Sequence, residues 1–130
     1  MTLAFLGNFD EGSDAPARAM AAAGRTHGER LALAIDQAAS FGPTWFLGPS
    51  APPAELAALH AALSAELAME GFALERRDFH PHATFLRKAG RPLAATPIAP
   101  ISWCAEEFVL FDSRPGECRY LELGRWPLTR

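Results

Sequence analysis

The segment that most restricts the fold of this chain is residues 52–70, which carry the pattern of one well-defined helix. Pro53 stands near its start and Gly71 directly after its end, the positions that these residues favour at helix termini. A stripe of leucines, spaced three or four residues apart, marks the face expected to be buried: Leu56, Leu59, Leu63 and Leu67. Shorter apolar segments flank this helix on both sides, so the chain must combine helices with strands.

The N-terminal half supplies a second helix and three short strands. Residues 2–7 are almost entirely apolar and predict a buried strand, and Ser13 or Asp14 can cap a helix that reaches about Ala23. In residues 31–37 the alanines favour a helix, whereas the leucines and isoleucine alternate with period two. We interpret this segment as a strand, paired in antiparallel fashion with a short strand over residues 44–47.

The C-terminal half predicts mainly strands and turns. A strand is expected over residues 79–87, followed by a proline-rich connector over 89–100. Residues 101–104 and 107–111 predict one strand broken by a bulge near residues 105–106. A turn at 112–116 and a strand at 118–123 would close a hairpin. With mostly antiparallel neighbours, these elements predict an α+β fold.

Composition limits the class of protein. The 130 residues fit a single domain spanning 1–130, and 49% hydrophobic and 21% charged residues predict a packed core. No signal peptide or membrane-length apolar run is present, so we expect Cys104 and Cys118 to be reduced structural residues of a cytoplasmic protein with no membrane partner. Neither a metal-ligand spacing nor a glycine-rich phosphate loop occurs, and we expect no metal and no cofactor.

The basic residues are distributed unevenly. Net charge is −3, so the whole protein does not attract nucleic acid. Five of the twelve lysines and arginines nevertheless lie between residues 76 and 91, and only Asp78 opposes them there. We call these five residues the basic collar; they form either a solvated loop rim or a surface that attracts anions: Arg76, Arg77, Arg87, Lys88 and Arg91.

The basic collar brackets the pair of residues best suited to chemistry. His82 and Thr84 are two apart in a predicted strand, so their side chains would project from the same face. An imidazole that exchanges a proton beside a hydroxyl that holds an anionic oxygen suggests phosphate chemistry, although such a pair is also common on ordinary strands. Of the remaining histidines, His60 is expected at the boundary of the helix stripe and His80 at the surface.

Three short motifs resemble the 2H phosphoesterases, in particular the RNA 2′,3′-cyclic phosphodiesterases, also called 2′-5′ RNA ligases. Residues 81–87, PHATFLR, are similar to the second His-x-Thr motif of that family, with Phe85 in place of the usual leucine. Residues 2–7, TLAFLG, match the first motif from its threonine onward. The stretch from Ser113 to Leu128 also looks like the family's ending.

The resemblance implies a bilobal fold in which two antiparallel sheets line a central cleft, with helices packed outside. It implies hydrolysis of RNA 2′,3′-cyclic phosphate ends, or of cyclic nucleotides, to 2′-phosphomonoesters by two histidines without a metal. Carried over to this sequence, His82 is the catalytic general base, Thr84 and Thr2 bind the phosphate, and Arg87 lies near it.

One part of the family pattern has no counterpart in these 130 residues. The family places a strand, a helix and the first motif's histidine ahead of Thr2, whereas only Met1 precedes Thr2 here. We therefore expect an impaired hydrolase, or alternatively a non-catalytic module that binds phosphate or RNA ends. An unrelated α+β domain with a chance His-x-Thr pair is the third alternative. Self-association through an exposed sheet edge is also expected.

Overall fold

The computed structural model of this chain describes residues 1–114, 116–117 and 119–129. Within these residues it contains two helices and two antiparallel sheets, which confirms the predicted α+β fold. In chain order the elements are α1 (Ala15–Arg25), β1 (Leu31–Phe41), β2 (Thr44–Gly48), α2 (Ala54–Met69), β3 (Ala83–Leu86), β4 (Thr96–Ala105), β5 (Glu107–Ser113) and β6 (Tyr120–Pro127).

The helix predicted over residues 52–70 is present as α2, and the residues that follow it explain where it ends. Gly71 adopts a positive φ of 88°, which glycine tolerates without steric cost. The Gly71 N–H donates to the Ala68 carbonyl and the Phe72 N–H donates to the Leu67 carbonyl, a pattern typical of helix C-termini. All four leucines of the predicted stripe are buried.

Helix α1 packs against α2 and is joined to it by polar contacts. The Arg25 guanidinium donates to Glu66 at 2.6 Å and to Glu70 at 2.7 Å, and Arg18 donates to the Glu70 carbonyl at 2.6 Å. Exposed ion pairs of this kind add little stability, so their effect is mainly to fix the relative orientation of the two helices. Neither helix in the described part of the chain is long and apolar enough to cross a bilayer.

The larger sheet has the strand order β3-β2-β1-β4, and every neighbouring pair is antiparallel. Strands β1 and β2 form the predicted pair, turning through Gly42 and Pro43. The smaller sheet pairs β5 with β6, as the predicted hairpin requires. Its far end is tied to the start of β1, because the Arg30 N–H donates to the Thr129 carbonyl at 2.7 Å.

The main core lies where the helices, the start of β1 and the smaller sheet meet. Its buried residues include four alanines of α1, the leucine stripe of α2, and Leu31 and Leu33 of β1. Phe72, Phe108 and Leu128 close it. Gly28 packs closely at this junction, since a Cβ there would lie 2.7 Å from the Leu59 side chain, which would have to shift.

The predicted strand over residues 2–7 is wrong. These residues form no regular strand in the structure, although Leu3, Ala4 and Leu6 pack against the core. The pattern of apolar residues therefore identified a segment that contacts the core but not its backbone conformation. A strand needs a neighbour to accept and donate ladder hydrogen bonds, and within the described residues β5 and β6 pair only with each other.

Four other boundaries also differ from the predictions. Residues 101–104 and 107–111 belong to two strands in different sheets, rather than to one bulged strand, because the chain changes sheets at Glu106. The proline-rich connector is shorter than expected, since β4 begins at Thr96 and pairs there with Ala38. Strand β3 spans only Ala83–Leu86, so His82 directly precedes it. Residues 112–113 continue β5, whereas Pro115 of the predicted turn and Cys118 of the last strand lie outside the described residues.

Candidate active site

The segment that precedes His82 is held in place by a close contact between two stretches of backbone. The carbonyl of Pro81, a buried residue, lies beside Gly48, where an added Cβ would approach it to 2.9 Å. Because only glycine permits this spacing, the end of β2 allows the segment before β3 to lie tightly against it. His82 is consequently held at the beginning of β3, half-buried beside the β1–β2 hairpin.

The imidazole of His82 has a defined hydrogen bond. Its Nδ1 lies 2.6 Å from the backbone carbonyl oxygen of His80. A carbonyl oxygen only accepts hydrogen bonds, so Nδ1 carries the proton and donates it. In the neutral ring, Nε2 then has the free lone pair and can act as a base. His80, expected at the surface, is exposed and contributes to the site through its backbone.

Two aromatic rings enclose the His82 imidazole. The ring of Phe41 lies 5.3 Å from it at an interplanar angle of 81°, and that of Phe46 lies 5.5 Å away at 63°. Phe41 and Phe46 also stack on one another, with centroids 4.3 Å apart. The two distances to His82 are within the range of favourable aromatic pairs. The imidazole therefore contacts two side chains of the hairpin and is also held by its hydrogen bond to the His80 carbonyl.

Thr84 lies in the same neighbourhood. It is half-buried in β3 and stands directly opposite Phe46 of β2, whose ring contacts His82. The prediction that the histidine and the threonine share one face came from strand periodicity. The structure places both of them around the Phe46 side chain, although only Thr84 lies within the strand.

Arg87 and the rest of the basic collar are exposed. Arg87 follows β3 directly, and Lys88 then adopts a φ of 56°, which is unusual for a residue other than glycine. The turn is secured by the Ala89 N–H, which donates to the Pro43 carbonyl at 2.9 Å. Within the described residues, Arg77 pairs with Glu75, and no carboxylate lies within 4.0 Å of the other four cations.

His60 supports the segment that leads to the site. Its ring stacks on Phe79 with centroids 4.0 Å apart and an interplanar angle of 2°. Partial burial lowers the pKa of the His60 imidazole below its ordinary value of 6.5, which favours the neutral ring. The predicted boundary position of His60 is confirmed, and the stack connects α2 to a residue three positions before His82.

Thr2 belongs to the wall of a largely apolar groove of about 1000 Å³, formed by residues 1–13, the helices and the smaller sheet. Among the described residues that line this groove, neither His82 nor Thr84 occurs. The roles of His82, Thr84, Thr2 and Arg87 in binding or chemistry stay predictions.

No cluster suited to a metal ion occurs among the described residues, where no three histidine, cysteine or carboxylate side chains come together. Cys104 is free and exposed on β4.

Sequence patterns did not identify Phe41 and Phe46 as neighbours of His82. Phe46 lies in the short strand predicted over residues 44–47, and its residue type does not indicate a contact with a histidine of another segment. Pairing β3 next to β2 in the predicted sheet would have placed Phe46 opposite Thr84, as the structure does. Predicting this contact requires knowing that β2 and β3 are neighbours, and antiparallel pairing alone does not say which strands are neighbours.

Known proteins share sequence similarity with this chain. The sequence profile of the 2′-5′ RNA ligase superfamily matches residues 1–113. The RNA 2′,3′-cyclic phosphodiesterase of Escherichia coli strain K12 is 35% identical over 135 aligned positions, which cover 100% of this chain and 76% of that protein.

Solved structures show the same relationship. A crystal structure of a phosphoesterase superimposes with a TM-score of 0.84 at 32% identity, covering 98% of this chain and 75% of the other. E. coli LigT complexed with NADP⁺ gives a TM-score of 0.81 at 32% identity, covering 98% and 74%. LigT complexed with 3′-AMP gives 0.78 at 32% identity, covering 98% and 75%. The chain belongs to the 2′-5′ RNA ligase superfamily, within the 2H phosphoesterases.

Proposed function

We propose that this chain acts on RNA 2′,3′-cyclic phosphate ends and opens the cyclic ester to a 2′-phosphomonoester. The observation that carries the proposal is the orientation of His82, whose Nδ1 donates to the His80 carbonyl and leaves Nε2 free as a base. Its 35% identity to an RNA 2′,3′-cyclic phosphodiesterase supports the choice of substrate.

The residues around His82 have distinct parts in the reaction. Water attacks phosphorus in line with the bond to the ribose 3′ oxygen, and Nε2 of His82 accepts the proton that the water loses. The hydroxyl of Thr84 donates a hydrogen bond to a non-bridging oxygen, whose negative charge increases in the transition state. Arg87 adds positive charge nearby, and the departing 3′ oxygen must receive a proton from an acid.

The experiment that tests this function is hydrolysis of 2′,3′-cyclic AMP, followed by separation of 2′-AMP from 3′-AMP. His82→Ala should reduce turnover by about 10²–10⁴-fold, the usual contribution of one acid–base group. His27→Ala is the matched control, because His27 is an exposed loop histidine. Turnover that survives His82→Ala at the rate of the control would overturn the role of His82.

A protein consisting of these 130 residues alone should be a slow enzyme. In the family pattern a histidine stands two residues before the first threonine, and Met1 is the only residue before Thr2 in this sequence. A histidine at that position would serve as the acid for the 3′ oxygen, so a protein limited to residues 1–130 should be slower by about 10²–10⁴-fold than one that carries it.

Adding a histidine tests that explanation directly. Extending the N-terminus by Met-His places an imidazole two residues before Thr2, and a Met-Ala extension is the control. We expect the Met-His protein to be at least about tenfold faster, since a general acid typically contributes 10²–10⁴-fold when fully positioned. Any purification tag belongs at the C-terminus. Equal rates for the two extensions, or full-speed hydrolysis by the 130 residues, would contradict the proposed impairment.

The basic collar favours a second candidate function, binding of phosphate or RNA ends without turnover. Four of its five cations have no carboxylate within 4.0 Å among the described residues, so they are available to an anion. Binding of an RNA with a 2′,3′-cyclic phosphate end should weaken in Lys88→Ala and should fall as salt concentration rises. Tight binding with no detectable product would favour this candidate over hydrolysis.

We also propose that the chain associates with itself. Phe5, Phe111 and Tyr120, which line the apolar groove, are 71%, 51% and 71% exposed. Exposed apolar patches and unpaired strand edges both favour contact between molecules. Light scattering should show a mass that increases with concentration and is reduced by Phe111→Glu. A constant monomer mass at high concentration would contradict this.

A further inference from the structure

Phe41 contacts the candidate base and has no assigned role in the reaction. Its ring lies edge-to-face against the His82 imidazole at 5.3 Å and is 45% exposed. Phe41 also stacks on Phe46 at 4.3 Å and lies edge-to-face against the His80 ring at 6.1 Å, and Phe46 in turn contacts His82 at 5.5 Å. The four rings form one continuous cluster.

The position of this cluster is set by strand register rather than by loops. Phe41 pairs with Thr44 across the β1–β2 hairpin, and Phe46 is paired with Ala39 on one side and with Thr84 on the other. The backbone positions of the two phenylalanines are consequently fixed relative to β3, where the chain continues from His82. Rotation of the imidazole about its side-chain bonds would change its contacts with both of these rings.

The hydrogen bond to His80 does not fix the imidazole by itself. It joins residues only two apart in the chain, on an exposed segment, and water can replace the carbonyl as a partner of Nδ1. A ring that rotated away would lose the preference for a proton on Nδ1, and Nε2 would then be protonated in part of the molecules. Such molecules lack a free lone pair on the nitrogen that serves as the base.

We propose that Phe41, together with Phe46, is a positioning residue that holds the His82 imidazole on the His80 carbonyl and so keeps Nε2 available as the base. This inference rests on the proposed function for its kinetic consequence, whereas its structural part is independent of turnover. Phe41 acts through His82 and need not contact the substrate.

The test compares three substitutions of exposed aromatic residues. Phe41→Leu removes the ring, Phe41→Tyr retains it, and Phe85→Leu removes a ring that is 52% exposed on β3 and contacts Trp45. Because Phe41 is far more exposed than the buried Phe46, its replacement should leave the fold intact. Circular dichroism and thermal unfolding verify this for each variant.

The first readout is the tautomer of His82, measured by nitrogen-15 correlation spectra of the imidazole above neutral pH. The starting protein, Phe41→Tyr and Phe85→Leu should show a proton on Nδ1 and a bare Nε2. Phe41→Leu should show averaged shifts from a mixture of both tautomers. An unchanged spectrum in Phe41→Leu, or the same change in Phe85→Leu, would overturn the inference.

The second readout is hydrolysis of 2′,3′-cyclic AMP. Phe41→Leu should lower kcat about 3- to 10-fold with KM within twofold, corresponding to the usual strength of an aromatic pair, and Phe41→Tyr should restore it. If every variant lacks activity while the tautomer of Phe41→Leu still changes, the proposed function fails and the positioning role stands. If His82→Ala abolishes turnover and Phe41→Leu changes neither readout, the function stands and the positioning role fails.

Discussion

Two regions of this molecule begin from similar sequence patterns and reach different structures. Around β3, a threonine followed by apolar residues lies in a four-stranded sheet, opposite Phe46 and next to His82. Around Thr2, a threonine followed by apolar residues forms no strand and lies along the wall of a groove. Residues of the N-terminal segment contact the main core without forming a strand, whereas β3 is mostly exposed and is paired with β2.

This difference shows what a short apolar pattern determines. Alternation and hydrophobicity decide that a segment will cover a core, since burial of apolar area is favourable for any backbone conformation. A strand also requires donors and acceptors on a neighbouring backbone. Strand β2 offers them to β3, whereas within the described residues the smaller sheet consists of β5 and β6 alone.

Hydrogen exchange should reveal the largest contrast between the two regions. Amides in the middle of β1, which pairs on both sides, should exchange at least about 10³-fold more slowly than those of residues 3–6, relative to their intrinsic rates. Mass spectrometry of exchanged peptides measures this ratio. Protection of residues 3–6 equal to that of β1 would mean that the N-terminal segment is a stable strand in solution.

Truncation of a side chain in the main core should reduce the free energy of unfolding more than truncation of a side chain in the N-terminal segment. Leu59 is 2% exposed in the main core, so Leu59→Ala should reduce the free energy of unfolding by about 3 kcal/mol. Phe5 is 71% exposed, and Phe5→Ala should change it by less than about 0.5 kcal/mol. Urea titration gives both values. A comparable loss in Phe5→Ala would show that the N-terminal segment contributes to the core as much as α2 does.

The two threonines should differ in their effect on hydrolysis. Thr84 lies in an ordered strand beside His82, and loss of a well-positioned donor to a developing charge commonly costs about 10²-fold. Thr84→Ala should show such a loss, with Thr84→Ser retaining most activity. Thr2→Ala should stay within about threefold, since Thr2 is not held by a strand. Equal losses would indicate that substrate or a partner orders the N-terminal segment in the active state.

A smaller effect concerns the dependence of stability on pH. Burial lowers the pKa of His60 in the folded chain, while the unfolded chain retains the ordinary value near 6.5. Below about pH 6.5 the unfolded state therefore binds more protons, and stability should fall as pH decreases towards the folded pKa. His60→Phe, which keeps a ring against Phe79, should flatten this dependence in thermal unfolding measured from pH 7.5 to 5. An unchanged slope would exclude His60 as its source.

Much of the fold could be predicted from local signals. The termini of α2 follow from Pro53 and Gly71, and the alternation over residues 31–37 identified β1 despite its alanines. The predictions were wrong for segments whose conformation depends on which strands lie next to them. Whether residues 2–7 pair with another strand, and whether residues 101–111 stay in one sheet, are decided by contacts between distant segments rather than by local composition.

Local sequence signals likewise identified some residues of the candidate site and not others. His82 and Thr84 were identified from their spacing and from the motif that surrounds them, because the residue types suit phosphate chemistry. Phe41 and Phe46 were not, since phenylalanine in a hairpin has no chemical signature and its proximity to His82 depends on strand order. Gly48 was missed for a similar reason, because its importance lies in the backbone of Pro81.

The hydrogen bond between His82 and the His80 carbonyl has a consequence for protein engineering. Many catalytic histidines depend on a carboxylate from a distant part of the chain for their orientation. Here the acceptor is a main-chain oxygen two residues away, so no side-chain replacement at position 80 deletes it. The tripeptide His80-Pro81-His82 carries both the candidate base and its acceptor, and a graft into another sheet would also need a glycine opposite the proline and rings in the places of Phe41 and Phe46.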